Sequence, residues 1–243
     1  MRLTRVHAPG PLVPGEPCTL RGEPANHVAR VLRLNVGDAI TVFDGEGAEY
    51  IARIAAVSRG EVHIVLGERR ANERESPLRL TLAQGISRGE RMDWVVQKAV
   101  ELGVTRIVPV LTERSVVRLD AAQAHSKQRH WSAIAVSACE QSGRAQLPQI
   151  AAAVPLAVWL AGLPPGGLRV LPSPDGAAGL ASLPPLIREV LVLIGPEGGL
   201  SDSEAAAAIG SGFRPVRLGP RVLRTETAAV VALALLQQRF GDL

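Results

Sequence analysis

Two consecutive strand–turn–helix patterns near the end of the chain constrain its fold more than any other feature. The first begins at residues 190–194, a continuous apolar run typical of a strand buried on both faces of a parallel sheet. A glycine-rich turn follows, and Ser201 with Glu204 has the spacing of a capping box at a helix start. The second pattern has a strand at residues 215–218, a turn, and a helix that Thr225 is expected to cap. The end of the chain is therefore predicted to be α/β structure.

The turns of these two patterns are predicted to lie side by side. Loops that follow parallel strands meet at the carboxyl edge of an open α/β sheet, where ligands bind. One glycine-rich turn is weak evidence for a ligand site, because glycine also serves ordinary tight turns. Neither turn has the GxGxxG spacing of a dinucleotide site or the lysine of a phosphate-binding loop. The pair of turns indicates a binding site that is rich in backbone atoms.

Strands and helices alternate through the whole region from residue 78 onward. This alternation predicts a parallel sheet that helices cover on both faces. The final helix is apolar nearly all round, so we expect it to be buried on more than one side, in the core or partly in a subunit interface. The predicted strands lie at 78–84, 106–111 and 168–171, and the predicted helices at 90–102, 121–142 and 225–240.

The first part of the chain is predicted to be a separate, β-rich domain. A helical pattern at residues 24–34 places Val28, Val31 and Leu32 on one side, and three strand-like runs follow it. A small barrel with one helix is the natural assembly of these elements. The strand-like runs lie at 39–43, 48–57 and 61–66. We predict this domain at residues 1–70, a polar linker at 71–77 and the α/β domain at 78–243; segments 146–167 and 173–185 stay unassigned.

The charge of the chain hints at an anionic partner. The formal net charge is +4, and four arginines with no acidic residue stand between residues 205 and 225. A cationic surface beside the predicted ligand turns suits a nucleic acid. Aromatic residues make up only 3% of the chain, which disfavours a domain that stacks bases on an aromatic sheet. The four arginines are Arg214, Arg217, Arg221 and Arg224.

Other compositional signals point to a cytoplasmic protein without a metal. Hydrophobic residues make up 47% of the chain and charged residues 21%, as in soluble globular proteins. No apolar run is long enough to span a membrane, and the N-terminus lacks the apolar core of a signal peptide. Cys18 and Cys139 match no metal or redox spacing, so we expect no metal site.

Several blocks of the sequence resemble the bacterial RsmE family of SPOUT methyltransferases. The resemblance is carried by IGPEGGLSDSE and LGPRVLRTETAA near the end, by NHVARVLRL with GDAITVFDGEG near the start, and by RGERMDWVVQKAVELGV, TERS and ACEQSGR between them. It covers essentially the whole chain outside the unassigned segments. It implies a C-terminal SPOUT-type parallel sheet flanked by helices and tied in a trefoil knot, an N-terminal PUA-like β-barrel that binds RNA, and a homodimer.

The resemblance also implies S-adenosylmethionine as the cofactor, held by three loops. Main-chain amides and carbonyls in an apolar slot can recognise adenine, and glycines let that main chain approach closely. The matching positions, which we predict to bind the cofactor, are Leu171, Pro172, Ile194, Gly195, Pro196, Glu197, Gly198, Gly199, Leu218, Gly219, Leu223 and Thr225.

The reaction implied by the resemblance is methylation of N3 of a specific uridine in 16S rRNA of the small ribosomal subunit. The N3 proton must leave, and the resulting anion needs stabilisation. We predict that Arg224 holds the base or its charge. Glu197 and Glu226 are the candidate bases, although each could instead cap a helix or pair with an arginine. The predicted RNA contacts are His27, Arg30, Arg33, Arg88, Arg91, Lys98 and Arg114, and Glu140, Gln141 and Arg144 are predicted to line the pocket.

Three alternative functions remain at this point. A SPOUT enzyme that methylates a tRNA ribose 2′-oxygen shares the loops, but the PUA-like domain and the RTETAA sequence argue against it. A non-catalytic rRNA-binding assembly factor explains the charge but not the pair of intact loops. A nicotinamide-dependent enzyme would need GxGxxG after the first strand of the α/β region, where it is missing.

Overall fold

The computed structural model describes residues 4–115, 119–176 and 178–243. The chain divides into two compact units, one of residues up to 75 with 136–147 and one of residues 76–135 with 148–243. The domain limits that we place at residues 70 and 78 stay a prediction. The first unit also contains the segment 136–147, which lies far from its other residues in the sequence. The start of the first predicted domain, residues 1–3, and residue 177 of the unassigned segment 173–185 lie outside the described residues.

The first unit contains a curled sheet with the strand order β1-β3-β4-β5-β2. β1 pairs with β3 in parallel, and the other neighbours are antiparallel. The last strand runs farther than predicted because residues 69–71 continue the ladder opposite residues 48–50. The predicted β-rich first region is confirmed. The strands are β1 (Arg5–His7), β2 (Pro17–Arg21), β3 (Ala39–Phe43), β4 (Ala48–Ser58) and β5 (Glu61–Ala71).

The helical segment of the first unit is shorter and wider than predicted. α1 spans Glu23–Asn26 and continues as a π-helix over His27–Val31, which the Leu32 amide closes by donating to the His27 carbonyl at 2.9 Å. Val28 is buried, but Val31 is 68% exposed and Leu32 38% exposed. The predicted packing of Val31 and Leu32 beside Val28 is wrong, because a π-helical turn no longer stacks residues three and four apart on one face.

A buried ion pair holds the segment 136–147 within the first unit. The Glu75 carboxylate accepts the backbone N–H groups of Ala145 and Gln146, each at 3.0 Å. Its other oxygen lies 2.9 Å from the guanidinium of Arg144, which is only 3% exposed. This carboxylate therefore neutralises a buried cation and satisfies two amides at once.

Replacing Glu75 by alanine is expected to lower the free energy of unfolding by about 3 kcal/mol, because it leaves a buried guanidinium without its carboxylate. Urea unfolding followed by far-ultraviolet circular dichroism measures this change. Glu73→Ala, which removes an exposed carboxylate two residues away, is the matched control and is expected to change stability little. Equal stability of the two variants would contradict the assigned role of Glu75.

The second unit is built on a parallel sheet with the strand order β11-β13-β10-β12-β6-β7-β8, and β9 pairs with β7. Every strand pair in it is parallel, which confirms the predicted α/β architecture. The strands are β6 (Arg79–Gly85), β7 (Arg106–Leu111), β8 (Gln149–Ile150), β9 (Val154–Pro155), β10 (Leu168–Pro172), β11 (Ala178–Gly179), β12 (Glu189–Ile194) and β13 (Arg214–Arg217).

Helices accompany this sheet at nearly the predicted positions. Ser201 and Glu204 form the predicted capping box, with the hydroxyl accepting the Glu204 amide and the Glu204 carboxylate accepting the Ser201 amide. One short helix falls in a segment that was left unassigned, because six residues are too few to show helical periodicity. The helices are α2 (Glu90–Glu101), α3 (Ala121–Ser142), α4 (Leu156–Ala161), α5 (Asp202–Gly210) and α6 (Thr225–Phe240). The residues of α3 from 136 onward belong to the first unit.

The central strands of this sheet are buried on both faces. Every residue of β12 after Glu189 is buried, as its apolar run predicts. Leu191 and Leu193 pack in a cluster with Leu160 of α4 and Phe213, while α6 lies against α2, β12 and β6. Within the described part of the chain, no helix is long and apolar enough to cross a membrane. The sheet is thus a rigid support for the loops at its carboxyl edge.

Candidate functional site

The loops after β10, β12 and β13 and the start of α6 enclose one cavity of about 660 Å³. The two turns that the sequence predicts to be neighbours therefore meet at this edge of the sheet. All twelve predicted cofactor residues line the cavity, as do the three predicted catalytic residues Arg224, Glu197 and Glu226. The structure brings these residues together, and their roles stay predictions.

The turn after β12 depends on glycine at two positions. Gly199 has φ of 69°, in the left-handed region that favours glycine. A Cβ atom on Gly195 would lie 3.0 Å from both the Gly199 carbonyl carbon and the Leu200 nitrogen. The Gly199 amide closes the turn by donating to the Pro196 carbonyl at 2.9 Å. Residues 195–199, called the glycine turn below, thus present main-chain atoms to the cavity with little side-chain bulk.

The glycine turn is anchored by its own carboxylate. Glu197 Oε1 accepts hydrogen bonds from the Arg88 amide and from Arg91 Nη1, both at 2.9 Å. Burial by itself would raise the pKa of Glu197, but the hydrogen bonds from the Arg88 amide, its own amide and Arg91 outweigh burial and lower the pKa. This carboxylate is therefore ionised and paired. The pairing favours the anchoring alternative for Glu197 over its role as a base, and it occupies Arg91.

The lowered pKa predicts how this anchor depends on pH. An unfolded glutamate has the ordinary pKa of 4.5, so the stabilisation is fully present above that pH and is lost as pH falls through the lower pKa of the folded protein. We expect the wild type to unfold at a higher temperature than Glu197→Gln near neutral pH, with the difference vanishing under acidic conditions. Thermal unfolding between about pH 7 and about pH 3 measures it. Glu189→Gln, at an exposed carboxylate, is the control. If the unfolding temperatures of the wild type and Glu197→Gln differed equally at every pH, the anchoring role of the Glu197 carboxylate would be contradicted.

A second arginine braces the glycine turn from the loop after β7. Arg114 Nη1 donates to the Gly198 carbonyl at 3.3 Å and to the Leu200 carbonyl at 3.1 Å. A Cβ atom on Gly198 would lie 3.1 Å from Arg114 Cβ, so glycine permits this close contact. Arg114 was predicted to contact RNA; the structure gives it a bracing contact inside the protein. Its RNA contact stays a prediction.

The other predicted RNA contacts lie outside the cavity lining. Lys98 pairs with Glu101 of the same helix at 2.8 Å. In the first unit, His27 is half-buried at the start of the π-helix, and Arg30 and Arg33 are exposed. Arg33 has φ of 52°, a left-handed conformation that is uncommon for arginine. Their contacts with RNA stay predictions.

The start of α6 differs from the prediction. Arg224, not Thr225, is the N-cap residue, and no side chain caps the helix. The predicted Thr225 cap is wrong because its hydroxyl donates to the Gly195 carbonyl at 2.6 Å instead. Buried Gln84, which was not among the predicted site residues, donates to the same hydroxyl at 3.0 Å. The available signal was a glutamine that directly follows the apolar residues Leu82 and Ala83 at the end of β6.

Like Arg221, Arg224 is an exposed cation in the cavity lining. Among the described residues it has no recorded ion-pair or hydrogen-bond partner for its guanidinium, so it is available to a ligand. Glu226 lies two residues farther, half-buried in the first helical turn. Val222, on the preceding loop, is 81% exposed. The cavity lining therefore combines the main-chain atoms of the glycine turn with the exposed cation of Arg224.

Three residues predicted to line the pocket do not line this cavity. Glu140, Gln141 and Arg144 belong to the first unit, where Arg144 pairs with Glu75 and Glu140 accepts the His7 amide at 3.0 Å. Burial raises the pKa of Glu140. The block ACEQSGR folds with the first unit, and a role of these residues in the pocket stays a prediction. In the described part of the chain, no cluster of histidine, cysteine or acidic side chains has the arrangement of a metal site.

Comparisons with known proteins agree with this arrangement. Residues 74–237 match the family model described as an RNA methyltransferase domain, and residues 20–67 match the RNA methyltransferase PUA domain. The chain is 34% identical to ribosomal RNA small subunit methyltransferase E of Buchnera aphidicola subsp. Schizaphis graminum over 90% of this chain and 89% of that protein. It is 31% identical to the protein of the same name from Bacillus subtilis, over 89% of this chain and 88% of that protein.

Two solved structures are similar over nearly the full length. A methyltransferase from Legionella pneumophila in complex with S-adenosylmethionine superposes with a TM-score of 0.96 and 41% identity, covering 100% of both chains. Ribosomal RNA small subunit methyltransferase E of Neisseria gonorrhoeae, bound to S-adenosylmethionine, has a TM-score of 0.93 and 36% identity over 99% of both chains.

Proposed function

The chain belongs to the ribosomal RNA small subunit methyltransferase E family, and on that premise we propose that it methylates N3 of a uridine in 16S rRNA. In this proposal the acceptor is the uridine of the position-1498 type in the small ribosomal subunit, as the family resemblance implies. The methyl donor is S-adenosylmethionine. The observation that carries this proposal is the cavity at the carboxyl edge of the second sheet, where every predicted cofactor residue meets a free arginine.

The residues of the cavity fit S-adenosylmethionine. Its volume of about 660 Å³ suits a small cofactor. Leu171, Ile194 and Leu223 offer apolar contacts, and the glycine turn offers main-chain donors and acceptors to an adenine edge. The bound cofactor supplies the reactive methyl group, and the protein has to orient the acceptor against it.

Arg224 and Glu226, which also line the cavity, suit deprotonation of the acceptor base. N3 of uracil must lose its proton, which leaves negative charge on the ring. The Arg224 guanidinium holds that charge, because it is exposed to the cavity and unpaired among the described residues. Glu226 is the better candidate to accept the proton, because Glu197 is already engaged by Arg88 and Arg91. Arg224 is thus the proposed catalytic cation and Glu226 the proposed base.

The first unit is proposed to dock the rRNA. Arg30 and Arg33 are exposed on and just after the π-helix, where they can meet phosphates. A homodimer and a trefoil knot are part of the same proposal, which the family resemblance supports. The face of α6 with half-buried Val231 and Ala234 and exposed Leu235 is the proposed dimer surface. The site of action is the cytoplasm, where ribosomal subunits are assembled.

Methyl transfer to small ribosomal subunits that lack the modification tests the proposed reaction. The experiment uses labelled S-adenosylmethionine and maps the modified nucleoside by mass spectrometry. We expect 3-methyluridine at one site of 16S rRNA, and no transfer to subunits that already carry the modification. Transfer to a ribose or to tRNA would overturn the N3 assignment. Absence of both transfer and cofactor binding by calorimetry would overturn the enzymatic function.

A further inference from the structure

A buried polar chain joins the glycine turn to the first residue of α6. The Thr225 hydroxyl donates to the Gly195 carbonyl at 2.6 Å and accepts a hydrogen bond from Gln84 Nε2 at 3.0 Å. The same amide nitrogen donates to the Gly85 carbonyl at 3.0 Å and lies 3.4 Å from the Gly195 carbonyl. Gln84 is fully buried and Thr225 is 7% exposed. The ends of β6 and β12 are therefore tied to α6 by hydrogen bonds inside the protein, where such bonds are strong.

The neighbours of Gln84 fix the orientation of its amide. Rotating the amide by half a turn would place its oxygen near the Gly85 carbonyl oxygen, where two acceptors would repel each other. In the observed orientation, Oε1 is buried without a hydrogen-bond partner among the described residues. An unpaired buried acceptor lowers stability, and an apolar side chain would avoid that loss. The amide nitrogen, by contrast, makes its contacts with Gly85, Gly195 and Thr225, at the glycine turn and at the start of α6.

We propose that Gln84 and Thr225 are positioning residues that fix the spacing between the glycine turn and Arg224. Arg224 immediately precedes Thr225, so the hydroxyl bond to Gly195 links the backbone of the catalytic cation to the main chain that faces the cofactor. Methyl transfer needs the acceptor nitrogen in line with the methyl–sulfur bond, and small displacements reduce the rate steeply. This inference rests on the proposed function, since it takes the glycine turn as the contact for the cofactor and Arg224 as the contact for the acceptor base.

Paired substitutions at Thr225 test the positioning role. Thr225→Val keeps the shape and loses the hydroxyl, whereas Thr225→Ser keeps the hydroxyl. We expect Thr225→Val to lower kcat at saturating S-adenosylmethionine about tenfold and to raise its Kd about tenfold, because the turn and Arg224 lose their link. Thr225→Ser is expected to stay within about twofold of the wild type in both values. Gln84→Met is expected to match Thr225→Val, and the double variant to be no worse than either, because both act through one chain of bonds.

A second buried glutamine provides the control for a general loss of stability. Gln237, near the other end of α6, accepts the Ser76 hydroxyl at 2.7 Å and donates to the Leu102 carbonyl at 2.8 Å. Gln237→Met removes comparable bonds outside the cavity lining, so we expect a lower unfolding temperature with unchanged kcat and Kd.

The outcomes distinguish the positioning role from the proposed function. An active wild type with a Thr225→Val variant that behaves like Thr225→Ser would overturn the positioning role alone. Equal losses of kcat in Gln237→Met and Thr225→Val would also overturn it. A wild-type protein that neither binds S-adenosylmethionine nor methylates small subunits would overturn the proposed function and this inference with it.

Discussion

Replacing Arg224 by alanine is expected to lower kcat for methyl transfer by about 10²–10³-fold while leaving the Kd of S-adenosylmethionine within about twofold. The guanidinium lies at the N-cap of α6, is exposed to the cavity and has no recorded side-chain partner among the described residues. Its proposed task is to stabilise the charge that develops on the uracil ring, a contribution that appears only in the transition state. Single-turnover methylation of small subunits, with calorimetry for cofactor binding, measures both values.

Two further variants make this test specific. Arg214→Ala removes the same charge at the start of β13, outside the cavity lining, so it is expected to change RNA affinity slightly and kcat hardly at all. Arg224→Lys keeps the charge without the planar fork and is expected to recover part of the lost rate. If Arg214→Ala were as slow as Arg224→Ala, the effect would come from the general attraction of RNA and not from the reacting base.

The sheet of the second unit could be predicted because its central strands and helices are long enough to show their periodicity. The apolar run of β12 and the capping box at Ser201 are local signals, and both reappear in the structure at the predicted residues. β8, β9 and β11 have two residues each and α4 has six, so nothing local distinguishes them from loops. The π-helix at His27–Val31 was missed because its pattern looks like an α-helix until the i+5 hydrogen bond is seen.

The position of the cavity could also be predicted from the sequence, but the hydrogen bonds that hold its turns in place could not. Two turns after parallel strands had to share an edge, and this placed the cavity. The bonds that fix the turns join residues far apart in the chain: Arg91 reaches Glu197 across 106 positions and Gln84 reaches Thr225 across 141. Such contacts depend on which strands become neighbours, and a single sequence does not record that order. For the same reason the sequence does not show that Arg91 and Arg114 pair with acceptors of the glycine turn and the residue after it.

Gly85 also makes a contact with a residue far away in the chain. Replacing it by alanine is expected to lower the free energy of unfolding by about 3 kcal/mol and to lower kcat/KM by about a hundredfold. It ends β6 next to the glycine turn, where a Cβ atom would lie 2.6 Å from Pro196 Cδ and 2.8 Å from the Gly195 carbonyl carbon. Both neighbours belong to or are bonded into the backbone of the turn, so they cannot rotate away. The turn itself has to move, which displaces the main chain that faces the cofactor. Urea unfolding and steady-state kinetics with varied S-adenosylmethionine measure the two effects.

The matched control for Gly85 is another glycine-to-alanine change in the same unit. Gly210 ends α5, and a Cβ atom there would have no neighbour within 4 Å. Gly210→Ala is expected to raise the free energy of unfolding by about 0.5–1 kcal/mol, because alanine favours helix, and to leave kcat/KM unchanged. If Gly85→Ala lost stability but kept kcat/KM, the contact between Gly85 and Pro196 would serve folding alone. A joint loss, absent from Gly210→Ala, would mean that the close packing of β6 against the glycine turn sets the geometry in which the cofactor meets the base.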